Sequence, residues 1–235
     1  MNTEVKLHPS TELLNQFVQG ELGTGNSVVV SAHMELCSSC SEKAKKLQAL
    51  AVSTWVDPSL AQPEEPGSET DYAKMVATIV ESPQINTESN SELVEVDIAV
   101  LNKPISLPRV LAKAIAQGLI WKQLPGGISE AQVRLDDETQ CEFIYMAPGS
   151  RVPVHTHTGS ETTLVLDGSF QDELGNYAVS DFIVRDKRHN HQPSCENGCL
   201  CFAVLDSPLK FTRGLARFMN PLNRFRFKRA LSRLA

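Results

Sequence analysis

Three residues with soft or borderline donor atoms crowd the stretch AHMELCSSC, residues 32–40: His33, Cys37 and Cys40. On a helix advancing about 100° per residue, Cys37 falls about 40° to one side of His33 and Cys40 about 20° to the other. One imidazole and two thiols therefore share a narrow face, three quarters of a tetrahedral zinc site. The only other histidine before residue 155 is His8, just ahead of Pro9. Recruiting it would clamp two helices together in a region too short for a large core. The plainer alternative is a reduced Cys-x-x-Cys pair beside incidental histidines. A thioredoxin-like use of Cys37 and Cys40 lacks the βαβ context it needs, so zinc is the better reading.

A second pattern lies in GSRVPVHTHTGSETTLVLDG: Gly149, His155, His157, Glu161 and Gly168, spaced G-x5-H-x-H-x3-E-x6-G. On a strand His155 and His157 point to the same side, and a short turn lets Glu161 return to the same point. Two imidazoles and a carboxylate suit a divalent metal. A further histidine is available at His189 or His191, which spacing alone does not separate. Zinc, iron, manganese and nickel all suit three histidines and a glutamate. Cys199 and Cys201, also two apart, either line the interior as a redox-responsive pair or pack as small inert hydrophobes. Cys141 reads as core and Cys195 as loop.

These residues need elements to carry them. Residues 9–21 place Leu13, Leu14, Phe17 and Val18 at helical spacing behind Pro9. Residues 27–54 read as one longer helix containing the first pattern. The Pro/Glu/Ser-rich run 56–71 is a connection. Tyr72, Met75, Val76, Ile79 and Val80 then form a single apolar stripe. PQINTESNSE, residues 83–92, is the best boundary, and beyond it the period changes. AQVRLD, CEFIYMAPGS, ETTLVLDGSF, DFIVRD and CLCFAVLD are short, β-branched or alternating segments, which predicts an antiparallel barrel or sandwich. The expected division is 1–88 helical, 93–210 β, and 211–235 a basic extension.

Composition bounds what such a chain does. With 235 residues and 41% hydrophobic content it is long enough for two globular units. No apolar run spans a membrane and the N-terminus lacks a leader pattern. The expectation is a cytoplasmic protein whose six cysteines are thiols or ligands rather than disulfides. The net charge of −6 divides into −9 over residues 1–95, −5 over 96–209 and +8 over 210–235. An acidic front half does not bind nucleic acid directly but favours encounter with a basic protein.

The order His-x24-His-x3-Cys-x2-Cys, on His8, His33, Cys37 and Cys40, resembles the motif of zinc-binding anti-sigma factors. The second pattern resembles cupin motif one, and His191-x-Pro193 with Gly198-Cys199 resembles the second motif of the ChrR subgroup of those factors. Ser180-Asp181 stands where many cupins have Gly-Asp. The resemblance covers roughly residues 1–210. It implies an α + β two-domain fold, a small zinc-binding helical bundle followed by an antiparallel cupin β-barrel. It further implies zinc on His8, His33, Cys37 and Cys40. A second divalent metal, zinc as first choice, is implied on His155, His157, Glu161 and His191, with His191 rather than His189 selected. The implied function is an anti-sigma factor. Residues 1–90 would sequester an extracytoplasmic-function sigma factor and release it in response to oxidants such as singlet oxygen, sensed by the cupin. The competing class is a cupin metalloenzyme of dioxygenase or isomerase type with a zinc-stabilised partner-binding module.

The tail KFTRGLARFMNPLNRFRFKRALSRLA alternates Arg and Lys with Phe and Leu. Pro221 is expected to split it into two short amphipathic pieces, suited to weak contact with an anionic surface. The tail is expected to dock onto the acidic residues 1–95.

Overall fold

The computed structural model describes residues 5–55, 69–82, 93–101 and 103–231. Of the connection expected at 56–71, residues 56–68 lie outside the described residues and 69–71 instead open the fourth helix; the connection at 83–92, and with it the boundary at 88, also lies outside the described residues. Four helices come first. Helix α1 (Thr11–Gln19) starts at Ser10, whose hydroxyl accepts from Leu13 N–H, and stops at Gly20 in the left-handed region. Helices α2 (Thr24–Leu36) and α3 (Ser38–Trp55) replace the single helix expected over 27–54. The break is at Cys37, in extended conformation at φ −128° and ψ 100°. Ser38 and Ser39 explain it, since serine favours helix starts over interiors. Helix α4 (Glu69–Glu81) carries the predicted apolar stripe.

A hairpin of β1 (Val94–Ile98) and β2 (Lys103–Leu107) and a short α5 (Arg109–Ala114) lead into the β region. There β3 (Lys122–Leu124), β4 (Ile128–Val133), β5 (Gln140–Met146), β6 (His155–His157), β7 (Ser160–Asp172), β8 (Gly175–Ala178), β9 (Phe182–Asp186), β10 (Asn190–His191), β11 (Cys199–Leu205) and β12 (Leu209–Phe211) form two antiparallel sheets. The larger runs β3-β4-β5-β11-β7-β8 with β9 also on β7; the smaller runs β10-β6-β12. The expected cupin-like fold is present. Its strands form two facing sheets rather than one closed ladder among the described residues.

β11 is buried along its whole length because both of its faces are covered. Leu200, Phe202 and Val204 pack with Val29 and Val30 of α2, while Cys199 and Cys201 face inward with Met146, Val165 and Phe170. Helices and sheet thus share one continuous core. The approach is tight at Gly25, where a Cβ would stand 2.3 Å from Thr139 Oγ1 and 2.8 Å from Cys141 Sγ. Asp136 seals that point by accepting from Gly25 N–H at 2.7 Å.

Among the described residues the tail lies on the β region rather than on residues 1–95 as expected. A 3-10 turn at Leu215–Met219 precedes α6 (Asn220–Leu231), with Pro221 in its first turn, where proline is tolerated, rather than dividing it. Helix α6 lies on the β region. Phe227 is buried against Ala203 and Leu205, and Arg226 pairs with Glu130. A buried carboxylate beside an apolar patch fixes the helix more firmly than diffuse attraction to a distant acidic surface. No helix of the described residues is long and apolar enough to cross a membrane.

Candidate metal centres

The break at Cys37 turns α3 so that Cys37 and Cys40 face the approach to α1. Donor atoms of His8, His33, Cys37 and Cys40 all lie within 4.8 Å of one another. His8 Nδ1 is 3.5 Å from Cys37 Sγ and 3.4 Å from Cys40 Sγ. His8 is exposed, the other three are buried. His33 donates from Nδ1 to the carbonyl of Ser180 at 3.0 Å, and since a carbonyl only accepts, Nε2 is left bare. That buried Nε2 has no hydrogen-bond partner. Burial pulls the His33 pKa down to about 4, keeping the ring neutral, and pushes Cys40 up to about 11, with the neighbouring Cys37 adding to the rise.

The second cluster is built across the strands. β6 carries His155 and His157 on one face, and β10 pairs His191 opposite His155. Glu161 opens β7 and returns to the same point, its Oε2 2.8 Å from His157 Nε2. The four donors again lie within 4.8 Å. His157 Nε2 and His191 Nε2 face each other at 3.2 Å. His155 Nδ1 is held by the Pro153 carbonyl and His191 Nδ1 by Asp172, each at about 3 Å. Burial, then the charge of His191, lowers His155 to about 4. Burial would raise Glu161, but His157 and then His155 and His191 outweigh it and hold the carboxyl down at about 2. His189 stays outside, paired with Asp186 at 3.0 Å.

Both clusters fit a metal. Bare imidazole nitrogens converge with thiols in one and with a carboxylate in the other. The opposite ring nitrogens of His33, His155 and His191 are tethered to oxygens, the outer arrangement that orients metal-binding histidines. Without a cation, His33 Nε2 is a buried polar atom with no partner, and two imidazole nitrogens abut.

Beside the second cluster is a cavity of about 200 Å³, walled by apolar residues such as Ile128, Phe170 and Ile183 and roofed by Met219 of the 3-10 turn and by Asn223 and Arg226 of α6. Cys201 lines it. Its sulfur is 3.5 Å from that of Cys199. The hydrogen bond to Cys201, then burial, pushes the Cys199 thiol far above its ordinary range, which favours an inert thiol. Asp172, Tyr177, Ser180 and Asp181 carry no spacing signal. Only the odd Ser180-Asp181 pair hinted at a feature there.

Residues 114–207 match the family model described as the ChrR cupin-like domain. The anti-sigma-E factor ChrR of Cereibacter sphaeroides is 29% identical over 224 residues, covering 94% of this chain and 99% of that protein. A chain in the crystal structure of Rhodobacter sphaeroides SigE in complex with the anti-sigma ChrR superposes with a TM-score of 0.64 and 27% identity, over 86% of this chain and 99% of its own length. The likeness expected from the two motifs thus extends along nearly the whole sequence.

Proposed function

We propose that this chain is an anti-sigma factor. Its helical module, within residues 1–90, captures an extracytoplasmic-function sigma factor, and its cupin releases that partner in response to oxidants such as singlet oxygen. The observation that carries the reading is the presence of two convergent donor clusters on adjoining modules of a chain similar, end to end, to an anti-sigma factor. The likeness along nearly the whole chain is to a regulator, and the chain is read as a regulator acting in the cytoplasm.

The helical module offers a surface for such a partner. Tyr72, Met75, Val76, Ile79 and Val80 on α4 are each more than half exposed. Burying such a stripe is worth about 25 cal/mol per Å². The −9 charge of residues 1–95 complements a basic partner and speeds encounter. At the front cluster, two thiols and two imidazoles are the donor set of structural zinc. The second cluster, with His155, His157, Glu161 and His191 as donors, would take a second divalent metal, zinc as first choice. Bound there, the metal supplies a Lewis-acidic centre beside a cavity that small oxidants can enter. Cys201 faces that cavity, so of the two neighbouring thiols Cys199 and Cys201 it is Cys201 that is the accessory oxidation site in this reading.

Tagged full-length protein is to be used to capture partners from host extract, alongside His33→Ala and Val76→Glu. Recovery of a sigma factor with the wild type, and its loss with both variants, is expected. No sigma factor with the wild type would overturn the reading.

A further inference from the structure

Residues 178–182 join β8 to β9, and their main chain faces both centres. Toward the helices, the Ser180 carbonyl accepts from His33 Nδ1 at 3.0 Å. Asp181 Oδ1 accepts from the N–H groups of Lys6 and Leu7 at 2.8 and 3.0 Å. Phe182 N–H donates to the Leu7 carbonyl at 3.0 Å, and its ring meets His33 edge-on at 5.4 Å. Both imidazoles of the front cluster are therefore placed by the cupin. His33 is gripped directly, and His8 through the residues that precede it.

Toward the cupin, Asp181 Oδ2 accepts from Ala178 N–H at 2.9 Å. Ser180 N–H donates to the Val165 carbonyl and Val165 N–H to the Asp181 carbonyl, at 2.9 and 3.1 Å, fastening the turn to the strand that carries Glu161. Tyr177, immediately before the turn, donates to Asp172 at 2.7 Å, and Asp172 accepts from His191 Nδ1 at 3.0 Å. Ser180 has φ 75°, the one non-glycine residue with positive φ among those described. A side chain disfavours that conformation, which persists only where the surroundings impose it.

We propose that this turn is a positioning element shared by the two centres, so that metal held at His155, His157, Glu161 and His191 slows the loss of metal from His8, His33, Cys37 and Cys40. The proposal rests on the reading of both clusters as metal centres. A metal-bound His191 is fixed at its far nitrogen, which fixes Asp172, then Tyr177 and the strand feeding the turn. Emptying the cupin centre frees that chain and loosens the hold on His33 and His8. A chemical event in the cupin thereby reaches the helices through one five-residue segment.

The test is made on full-length protein loaded with cobalt(II). Thiolate-to-cobalt absorption reports the cysteine-containing front centre, and its decay is followed in excess EDTA. Asp181→Ala is expected to speed the decay about 10- to 100-fold, the usual effect of losing an outer-shell partner. Asp181→Asn, which keeps the shape, is expected to move it the same way and serves if the alanine variant does not fold. His155→Ala, which removes a donor from the other centre, is expected to speed it at least about fivefold. Asp136→Ala, which loosens the module contact at Gly25 without touching either histidine, is expected to stay close to wild type. Wild-type rates in the Asp181 variants or in His155→Ala would overturn the proposal, as would an equal acceleration by Asp136→Ala. Absence of the thiolate band in the wild type would instead remove the metal reading beneath it, and the proposal with it.

Discussion

Asp172 Oδ2 stands 3.0 Å from His191 Nδ1, buried, and also faces the guanidinium of Arg185, while the other carboxylate oxygen, Oδ1, accepts from the hydroxyl of Tyr177. Burial alone would raise this carboxyl. The bonds from His191, Tyr177 and Leu174 N–H reverse that and hold it far below the usual carboxylate range. An ionised Asp172 fixes both the orientation and the tautomer of His191, leaving Nε2 to the cluster.

Removing that carboxylate should weaken the cupin centre. Asp172→Ala is expected to lower metal affinity about 10- to 100-fold, and Asp172→Asn by less, since its amide oxygen still accepts. Chelator competition with metal content measured per chain checks the order. An alanine variant that binds as tightly as wild type would contradict it.

Acid should destabilise the metal-free protein. His33 and His155 have pKa values of about 4 when folded, against 6.5 for a free side chain. Between those values the unfolded chain binds protons that the folded chain refuses, so stability rises with pH there and is lost on acidification from 6.5 toward 4. Each histidine contributes up to about 3 kcal/mol to that loss. Urea midpoints at pH 7.5, 5.5 and 4.5 are expected to fall in that order; a flat series would refute the assignment. Metal-loaded protein should follow the same direction, because ligand histidines must be neutral.

Gly25→Ala should damage both modules together. The added methyl meets Thr139 Oγ1 at 2.3 Å and Val204 Cγ1 at 3.1 Å, and Thr139 is itself held by Asp136. Overpacking of this kind costs about 1–3 kcal/mol, which lowers Tm by about 2–4 °C per kcal/mol in a chain of this size. Far-UV and near-UV circular dichroism should shift in concert. A shift in the helical signal alone would argue against a shared core.

Phe227 anchors the tail. Phe227→Ala is expected to cost about 3 kcal/mol and to expose the basic bonds of α6 to trypsin. Limited proteolysis should remove the tail from the variant well before the wild type. Equal rates would mean that α6 is held elsewhere.

Chemistry at fixed short spacing was legible in the sequence. His155, His157 and Glu161 lie within seven residues of chain, so period-two alternation on β6 and one short turn bring them together. Cys37 and Cys40 lie on one turn. The cupin-like strands were legible for the same reason, as local alternation between glycine and proline stops. What joins distant segments was not. The helix break at Cys37 leaves the donors together yet places them on a corner rather than a straight face. Asp172 and Asp181 look like ordinary turn aspartates until the topology sets them against His191 and Lys6. The tail went astray because net charge ranks partners only loosely, whereas one buried aromatic and one buried carboxylate decide among them.

His33 and Ser180 are 147 residues apart in the chain. At a synthesis rate of about 5–20 residues per second, all four front donors leave the ribosome roughly 7 to 30 seconds before the carbonyl that grips His33. For that interval the nascent helices can capture an ion with one imidazole free to rotate. On the proposed metal reading, the front centre therefore matures in two stages of translation, a loose one on its own helices and a firm one when the cupin arrives, and a chain truncated before residue 178 remains in the first.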